Sequence, residues 1–213
     1  MSKQTIYLDW RSKGAITVPK DQLKCSACYA FAATAALESS YFIKTGNLVD
    51  FSPQQIIDCT TNLKNLGCKG GFVEYAYEYF KTFKAMDLNA YPYTALDGNC
   101  TYNKKKGLTN TKGFAYLPEF DPDSMIEALK EQPILTAMAS NSRVFGSYSS
   151  GIINENACGQ ELDHRILLIG YGDDDLFGPF WIAKNCWGTL WGEKGFFKIK
   201  RDIIPGGEGT CGI

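Results

Sequence analysis

Residues 21 to 36, reading DQLKCSACYAFAATAA, limit what this chain can become more than any other stretch. A run of alanines broken only by Tyr, Phe and Thr has no polar face, so it predicts a helix that opens at about Cys28 and is buried on every side. A cysteine at such a start sits beside unpaired backbone N–H groups and the positive end of the helix dipole. Both favour thiolate over thiol, and the thiolate is the nucleophile. Read alone, Cys25-Ser26-Ala27-Cys28 equally fits a buried structural pair or a thioredoxin-like redox pair, so the rest of the chain must decide.

Length and charge narrow the field. The 213 residues are 45% hydrophobic and 14% aromatic, enough for a large core in one compact unit or two closely packed lobes. Lys and Arg total 22 against 23 Asp and Glu, a net charge of −1, so there is no basic field for nucleic acid or an acidic membrane surface. No apolar run approaches the roughly 20 residues that span a bilayer, and Met1-Ser2-Lys3-Gln4 opens no secretory signal. Eight cysteines are rich for a reducing compartment and ordinary for an oxidising one. The expectation is a secreted or lysosome- or vacuole-like protein, its mature part standing behind an added methionine. The sequon Asn99-Cys100-Thr101 fits that route.

Local signals sort the chain into two kinds of structure. Residues 5–20 alternate loosely and end at Pro19 as extended chain, and the helix from Cys28 should reach about Lys44 and stop at Gly46. Ser52-Pro53-Gln54-Gln55 supplies a capping serine, a first-turn proline and a third-position glutamine for a short helix through Asp58. A further helix should follow Gly70-Gly71, from Phe72 to about Phe83. Asp121-Pro122 with Ser124 and Glu127 starts one more, closed by Pro133. Apolar runs at residues 134–139, 166–171, 180–184 and 195–200, with Gly-rich turns between, read as strands of an antiparallel sheet or barrel. The chain is therefore expected to be α+β, with a helical lobe over roughly 13–115 and a β lobe over roughly 116–213 plus the N-terminal strand. The cleft between lobes is the natural place for a site.

Histidine occurs once, at His164 in Leu162-Asp163-His164-Arg165, at the head of the 166–171 strand. Any general base working near pH 7 is most simply this imidazole. The next strand runs into Asn185-Cys186-Trp187, where an asparagine can accept from one imidazole nitrogen and a tryptophan can shield the pair from water. Cys28, His164 and Asn185 then stand as nucleophile, base and orienter.

These residues carry a resemblance to the papain family of cysteine proteases over essentially the whole length. The family's cysteine motif lies near the mature N-terminus with His and Asn roughly 130–150 residues on. Here His164 follows Cys28 by 136 residues and Asn185 by 157. Gly67-Cys68-Lys69-Gly70-Gly71, Gly170-Tyr171-Gly172 and the run from Asn185 to Gly192 match as well. The resemblance implies a papain-like two-lobed fold: a helical N-terminal lobe, an antiparallel β-barrel-like C-terminal lobe and the active site in the cleft between them. It makes Gln22 the side-chain oxyanion donor. It pairs Cys25 with Cys68, Cys59 with Cys100 and Cys158 with Cys211, leaving Cys28 for chemistry and Cys186 where relatives usually carry serine.

The resemblance also implies an activity. A thiol-dependent endopeptidase would form an acyl-enzyme on Cys28, pair an extended peptide or protein substrate with the Gly70-Gly71 backbone, and use Phe72, Leu162, Asp163, Arg165 and Trp187 around the substrate. A prosegment or protein inhibitor could occupy the same site, and the chain is expected to act as a monomer. One histidine and bonded cysteines offer no metal cluster, and no cofactor is called for. Ser26, Ala27 and Tyr29, with Leu23-Lys24 after the glutamine, depart from the family's usual residues and are expected to ring the wall beside the leaving bond. The sequence also stops at Ile213, short of a tail that in relatives helps close the second specificity pocket. Two other readings are a papain-like fold that only binds, and another Cys-His acyl-transfer enzyme of the transglutaminase-like kind.

Overall fold

The computed structural model of the chain describes residues 2–154, 158–202 and 207–213. Its internal contacts divide it into two compact units, Gln22–Tyr116 and the combination of Met1–Asp21 with Leu117–Ile213.

In the first unit, helix α1 (Cys28–Thr45) begins at the second cysteine. It ends where Gly46 turns left-handed at φ 76° and returns its N–H to Phe42 O at 2.7 Å. Every residue from Tyr29 to Ala35 is buried. Beyond Ser39 the helix surfaces, so all-round burial holds for its first half only. Helix α2 (Pro53–Cys59) starts as the sequence predicts, with Ser52 Oγ accepting from Gln55 N at 3.2 Å. All seven of its residues are buried, so each polar side chain must find a partner inside. Gln54 Nε2 donates to Asp58 Oδ1 and Leu96 O, while Asp58 Oδ2 accepts from Tyr91 OH at 2.8 Å. Gln55 does not close a capping box. Its amide accepts from Met86 N at 2.7 Å and donates to Lys84 O at 3.0 Å, and Ser52 N goes to Met86 O instead.

Helix α3 (Val73–Thr82) presents Tyr79 to Phe83, whose rings stack with centroids 4.7 Å apart. The antiparallel pair β2 (Ala85–Met86) and β3 (Gly107–Thr109), unmarked in the sequence, lies next along the chain. Disulfides Cys25–Cys68 and Cys59–Cys100 span 43 and 41 residues. By loop entropy each is worth about 4 kcal/mol.

The second unit is built on a sheet in the order β1-β6-β7-β8-β5, with β4 also paired to β6. The long strand β6 (His164–Asp174) organises it. Along one edge β6 pairs first with β4 (Ile134–Met138), placing Met138 opposite His164, and then with β1 (Gln4–Asp9). Along the other edge it pairs with β7 (Gly178–Lys184), which in turn pairs with β8 (Phe196–Lys200). Glycine at 170 has a local reason, because a β carbon there would run into the backbone of Leu8 where the β1–β6 register shifts.

Two features refine the sequence reading of this unit. Strand β5 (Ile152–Ile153) joins β8 in parallel beside the antiparallel pairs, and the strand path stays open, with no closed barrel among the described residues. Helix α4 (Pro122–Glu131) is capped by Asp121, which accepts from both Asp123 N and Ser124 N, and the short α5 (Arg143–Gly146) is capped by Ser142. Trp181, Phe145, Phe197, Leu168, Met138 and Leu129 form the core, and Cys158–Cys211 closes its edge.

Candidate active site

The thiol lies on the helical unit. Cys28 is the first residue of α1, half-buried and in no disulfide. The preceding Ala27 offers no side-chain cap, and the first turn carries no acidic residue, so no carboxylate of the helix's own first turn offsets its positive end at this sulfur. The approach to the helix is fixed on both sides. Cys25 is bonded to Cys68, and Ser26 N donates to Cys68 O at 2.9 Å. The Gln22 carbonyl accepts from Cys25 N at 3.2 Å and from Tyr93 OH at 2.6 Å.

Burial overturns one expectation here. Ala27 and Tyr29 have no exposed surface, so they line no wall; of the departing residues Leu23, Lys24 and Ser26 reach solvent. Tyr29 OH donates to Gly67 O at 3.1 Å. Desolvation, with the charges of Asp97, Cys28 and Asp58 adding to it, holds that phenol far above its usual range. The Cys28 neighbourhood gains a rigid floor and no second acid.

The glycine loop has its own division of labour. Asp97 Oδ1 accepts from Cys68 N at 2.6 Å and fills the space a β carbon on Gly67 would need. Gly70 sits at φ 109°, facing open space, but its carbonyl accepts from Leu66 N at 2.9 Å and is occupied. Gly71 is different: among the described residues neither its N–H nor its C=O is in a hydrogen bond. Of the two glycines expected to meet a substrate backbone, Gly71 is the one whose N–H and C=O are both unengaged by the described residues. Phe72, 55% exposed, stands beside it and meets Tyr75 edge-on at 6.0 Å.

The imidazole lies on the β unit. His164 heads β6, 3% exposed, and its Nε2 is 2.8 Å from Asn185 Oδ1, which follows the end of β7. The same oxygen accepts from Cys186 N at 2.8 Å. An oxygen that takes a backbone N–H is an acceptor, so Nε2 carries the proton and donates. Trp187 covers the ring with centroids 5.2 Å apart, and Phe145, an anchor absent from the sequence reading, lies beyond it at 6.3 Å. Burial pushes the His164 pKa below its usual 6.5; Asn185 and Asp163 oppose that shift, and Arg165 adds to it.

The neighbours of His164 differ in availability. The Asp163 carboxylate is engaged, accepting from Ser140 N at 2.7 Å and Ser140 Oγ at 3.0 Å. Arg165 is half-buried, and its Nη1 donates to His164 O at 3.2 Å. Leu162 is half exposed and packs at Gly212. Cys186 is buried and in no disulfide. Among the described residues no group of three or more His, Cys, Asp or Glu could hold a metal ion.

A cysteine thus heads a helix on one disulfide-clamped unit, and a histidine held by asparagine heads a strand of the mixed sheet on the other. The model for papain family cysteine proteases matches residues 5–213, and the chain belongs to that family. It is 41% identical over 209 residues to cathepsin L1 of Drosophila melanogaster, covering 97% of this chain and 55% of that protein. It is 40% identical to a KDEL-tailed cysteine endopeptidase of Arabidopsis thaliana, covering 100% of this chain and 58% of that one. The chain thus spans little more than half the length of these relatives. Among solved structures, bromelain protease from Ananas comosus in complex with the E64 inhibitor aligns with a TM-score of 0.88 at 40% identity, over 97% of this chain and 94% of that one. The proform of the ragweed cysteine protease Amb a 11 aligns with a TM-score of 0.88 at 37% identity, over 97% of this chain and 63% of that one.

Proposed function

We propose that this chain is a thiol-dependent endopeptidase acting through Cys28, His164, Asn185 and Gln22. The observation that carries the reading is the buried His164–Asn185 hydrogen bond. With Nε2 engaged by Asn185, the reading gives the ring's other nitrogen, Nδ1, the proton exchange with the nucleophile.

In the first step Nδ1 takes the proton from Cys28 Sγ, giving a thiolate and an imidazolium. The thiolate adds to a peptide carbonyl, and the oxyanion is held by Gln22 Nε2 and the Cys28 backbone N–H. Collapse of that intermediate breaks the C–N bond while the imidazolium gives its proton to the leaving amine. Water, deprotonated by the same imidazole, then cleaves the thioester and regenerates the thiol. Gly71 pairs with the extended substrate backbone, with Phe72, Leu162 and Arg165 bordering the side chain two residues before the cut.

The relatives extend the reading. An E64 inhibitor bound to bromelain and the proform of the ragweed protease make a small thiol-directed inhibitor and a prosegment the expected occupants of this chain's site. Three disulfides and relatives named cathepsin L and KDEL-tailed endopeptidase support a secretory, lysosomal or vacuolar setting. No described helix is long and apolar enough to cross a membrane.

The test is covalent labelling of the thiol alongside turnover of a peptide blocked at both ends. The expected result is one label at Cys28, protection by substrate, and internal cleavage. Labelling without cleavage would leave a binding protein, and cleavage of free-ended peptides alone would make it an exopeptidase.

A further inference from the structure

We infer that Asn65 is a positioning residue for the substrate-pairing backbone of Gly71, a role that rests on the endopeptidase reading above. Asn65 is 1% exposed, and both ends of its amide are used. Nδ2 donates to Thr60 Oγ1 at 2.9 Å, and Thr60 Oγ1 in turn donates to Ile56 O at 2.7 Å, anchoring the amide to the end of α2. Oδ1 accepts from Phe72 N at 2.7 Å. A β carbon on Gly71 would collide with this same amide and lie 2.9 Å from Tyr29 Cζ, so the Asn65 amide and the Tyr29 ring together form the floor directly beneath Gly71.

The consequence is a choice of which backbone groups point outward. Leu66 N–H takes the Gly70 carbonyl and Asn65 takes the Phe72 N–H, while the N–H and C=O of the residue between them stay unengaged by the described residues. In a β ladder one residue offers its N–H and C=O to the same neighbouring strand, and the residues flanking it face the other way. Asn65 consumes the flanking donor and so fixes Gly71 as the pairing residue. The asparagine amide carries an acceptor for that N–H and a donor for Thr60 on one short planar group, so Ala loses both bonds and Asp loses the donor.

Two substrates separate this role from general damage: a blocked dipeptide amide, whose backbone reaches Gly71, and a single-residue ester, which stops short of it. Asn65→Ala should lose roughly 10–100-fold in kcat/KM on the dipeptide amide, the effect of misaligning a pair of hydrogen bonds, and under about threefold on the ester. The iodoacetamide labelling rate of Cys28 should be unchanged. Asn65→Asp keeps the acceptor for Phe72 N–H but loses the donor to Thr60, so it should recover only part of the loss. Should Asn65→Ala fail to fold, Thr60→Val leaves Asn65 in place without its anchor and should show the same selective loss at roughly 3–10-fold. Equal losses on both substrates, or no loss on the dipeptide, would overturn the role. A wild-type chain that takes label at Cys28 yet turns over neither substrate would instead overturn the peptidase reading, and this role with it.

Discussion

His164 Nε2 donates to Asn185 Oδ1 at 2.8 Å with both side chains buried, in a chain that holds one histidine. The pair makes the protonation of this imidazole a direct report on its surroundings.

With the thiol removed, as in Cys28→Ala, burial is the largest influence on His164, so its pKa should lie below 6.5. The unfolded chain then binds the proton first as pH falls. Stability contributed by neutral His164 is complete above about pH 6.5 and is lost on acidification toward the lower folded value. In the intact chain the thiolate of Cys28 should move the titration upward. The imidazole proton resonance of the single histidine, followed through pH in both forms, measures the difference. Identical titrations would mean the two groups do not interact.

Roles at the site should separate by magnitude. Cys28→Ser and His164→Ala remove the reacting atoms and should abolish measurable turnover. Gln22→Ala should cost roughly 10²–10³ in kcat, the scale for one oxyanion donor. Asn185→Ala orients without reacting and should cost less than either reacting residue. The pH profile of kcat/KM should be bell-shaped, with limbs that belong to the Cys28–His164 pair jointly. Steady-state kinetics of the four variants test the ranking, and equal small losses throughout would move the site elsewhere.

Gln55 should matter for stability alone. Its side chain, with no exposed surface, ties Met86 N and Lys84 O to α2, and truncation strands the buried Met86 N–H. Gln55→Ala should destabilise by about 2–4 kcal/mol, the scale of a lost buried pairing with its desolvated remnant. A chemical denaturation midpoint reads this directly, with Cys28 labelling kinetics of the folded protein unchanged.

Arg165 should set the preference for the side chain two residues before the cut. A guanidinium bordering that side chain favours a small or acidic one, since a carboxylate can pair with it bidentately. A peptide library varied at that position should favour Glu or Asp, and Arg165→Gly should shift the choice to Leu or Phe. A preference for Leu or Phe that the substitution leaves untouched would show the arginine turned to water, its Nη1 contact with His164 O serving only the strand.

Where the signal was local, the sequence settled the matter: α1 opens at Cys28 and closes on Gly46, α2 opens at Ser52-Pro53, and β4, β6, β7 and β8 fall on the four apolar runs. Caps, proline and glycine act over three or four residues, and a window of sequence contains everything they need. The candidate residues Cys28, His164 and Asn185 were legible for a different reason, because few side chains can serve as nucleophile and base near pH 7 and this chain has a single histidine. Tertiary structure alone decided what each group meets. Gln55 has the position of a capping-box residue, yet its amide turns to Met86 and Lys84, some thirty residues on, because the Met86 N–H is buried and needs a partner. Tyr29 follows Cys28 in sequence but lies under Gly71, and Asn65, silent in any motif, holds the Phe72 N–H. The two-residue β5 became a strand only because β8 offered it a parallel edge. Hydrogen bonds and burial between residues far apart in the chain leave no local pattern, so the folded arrangement is where they are first determined.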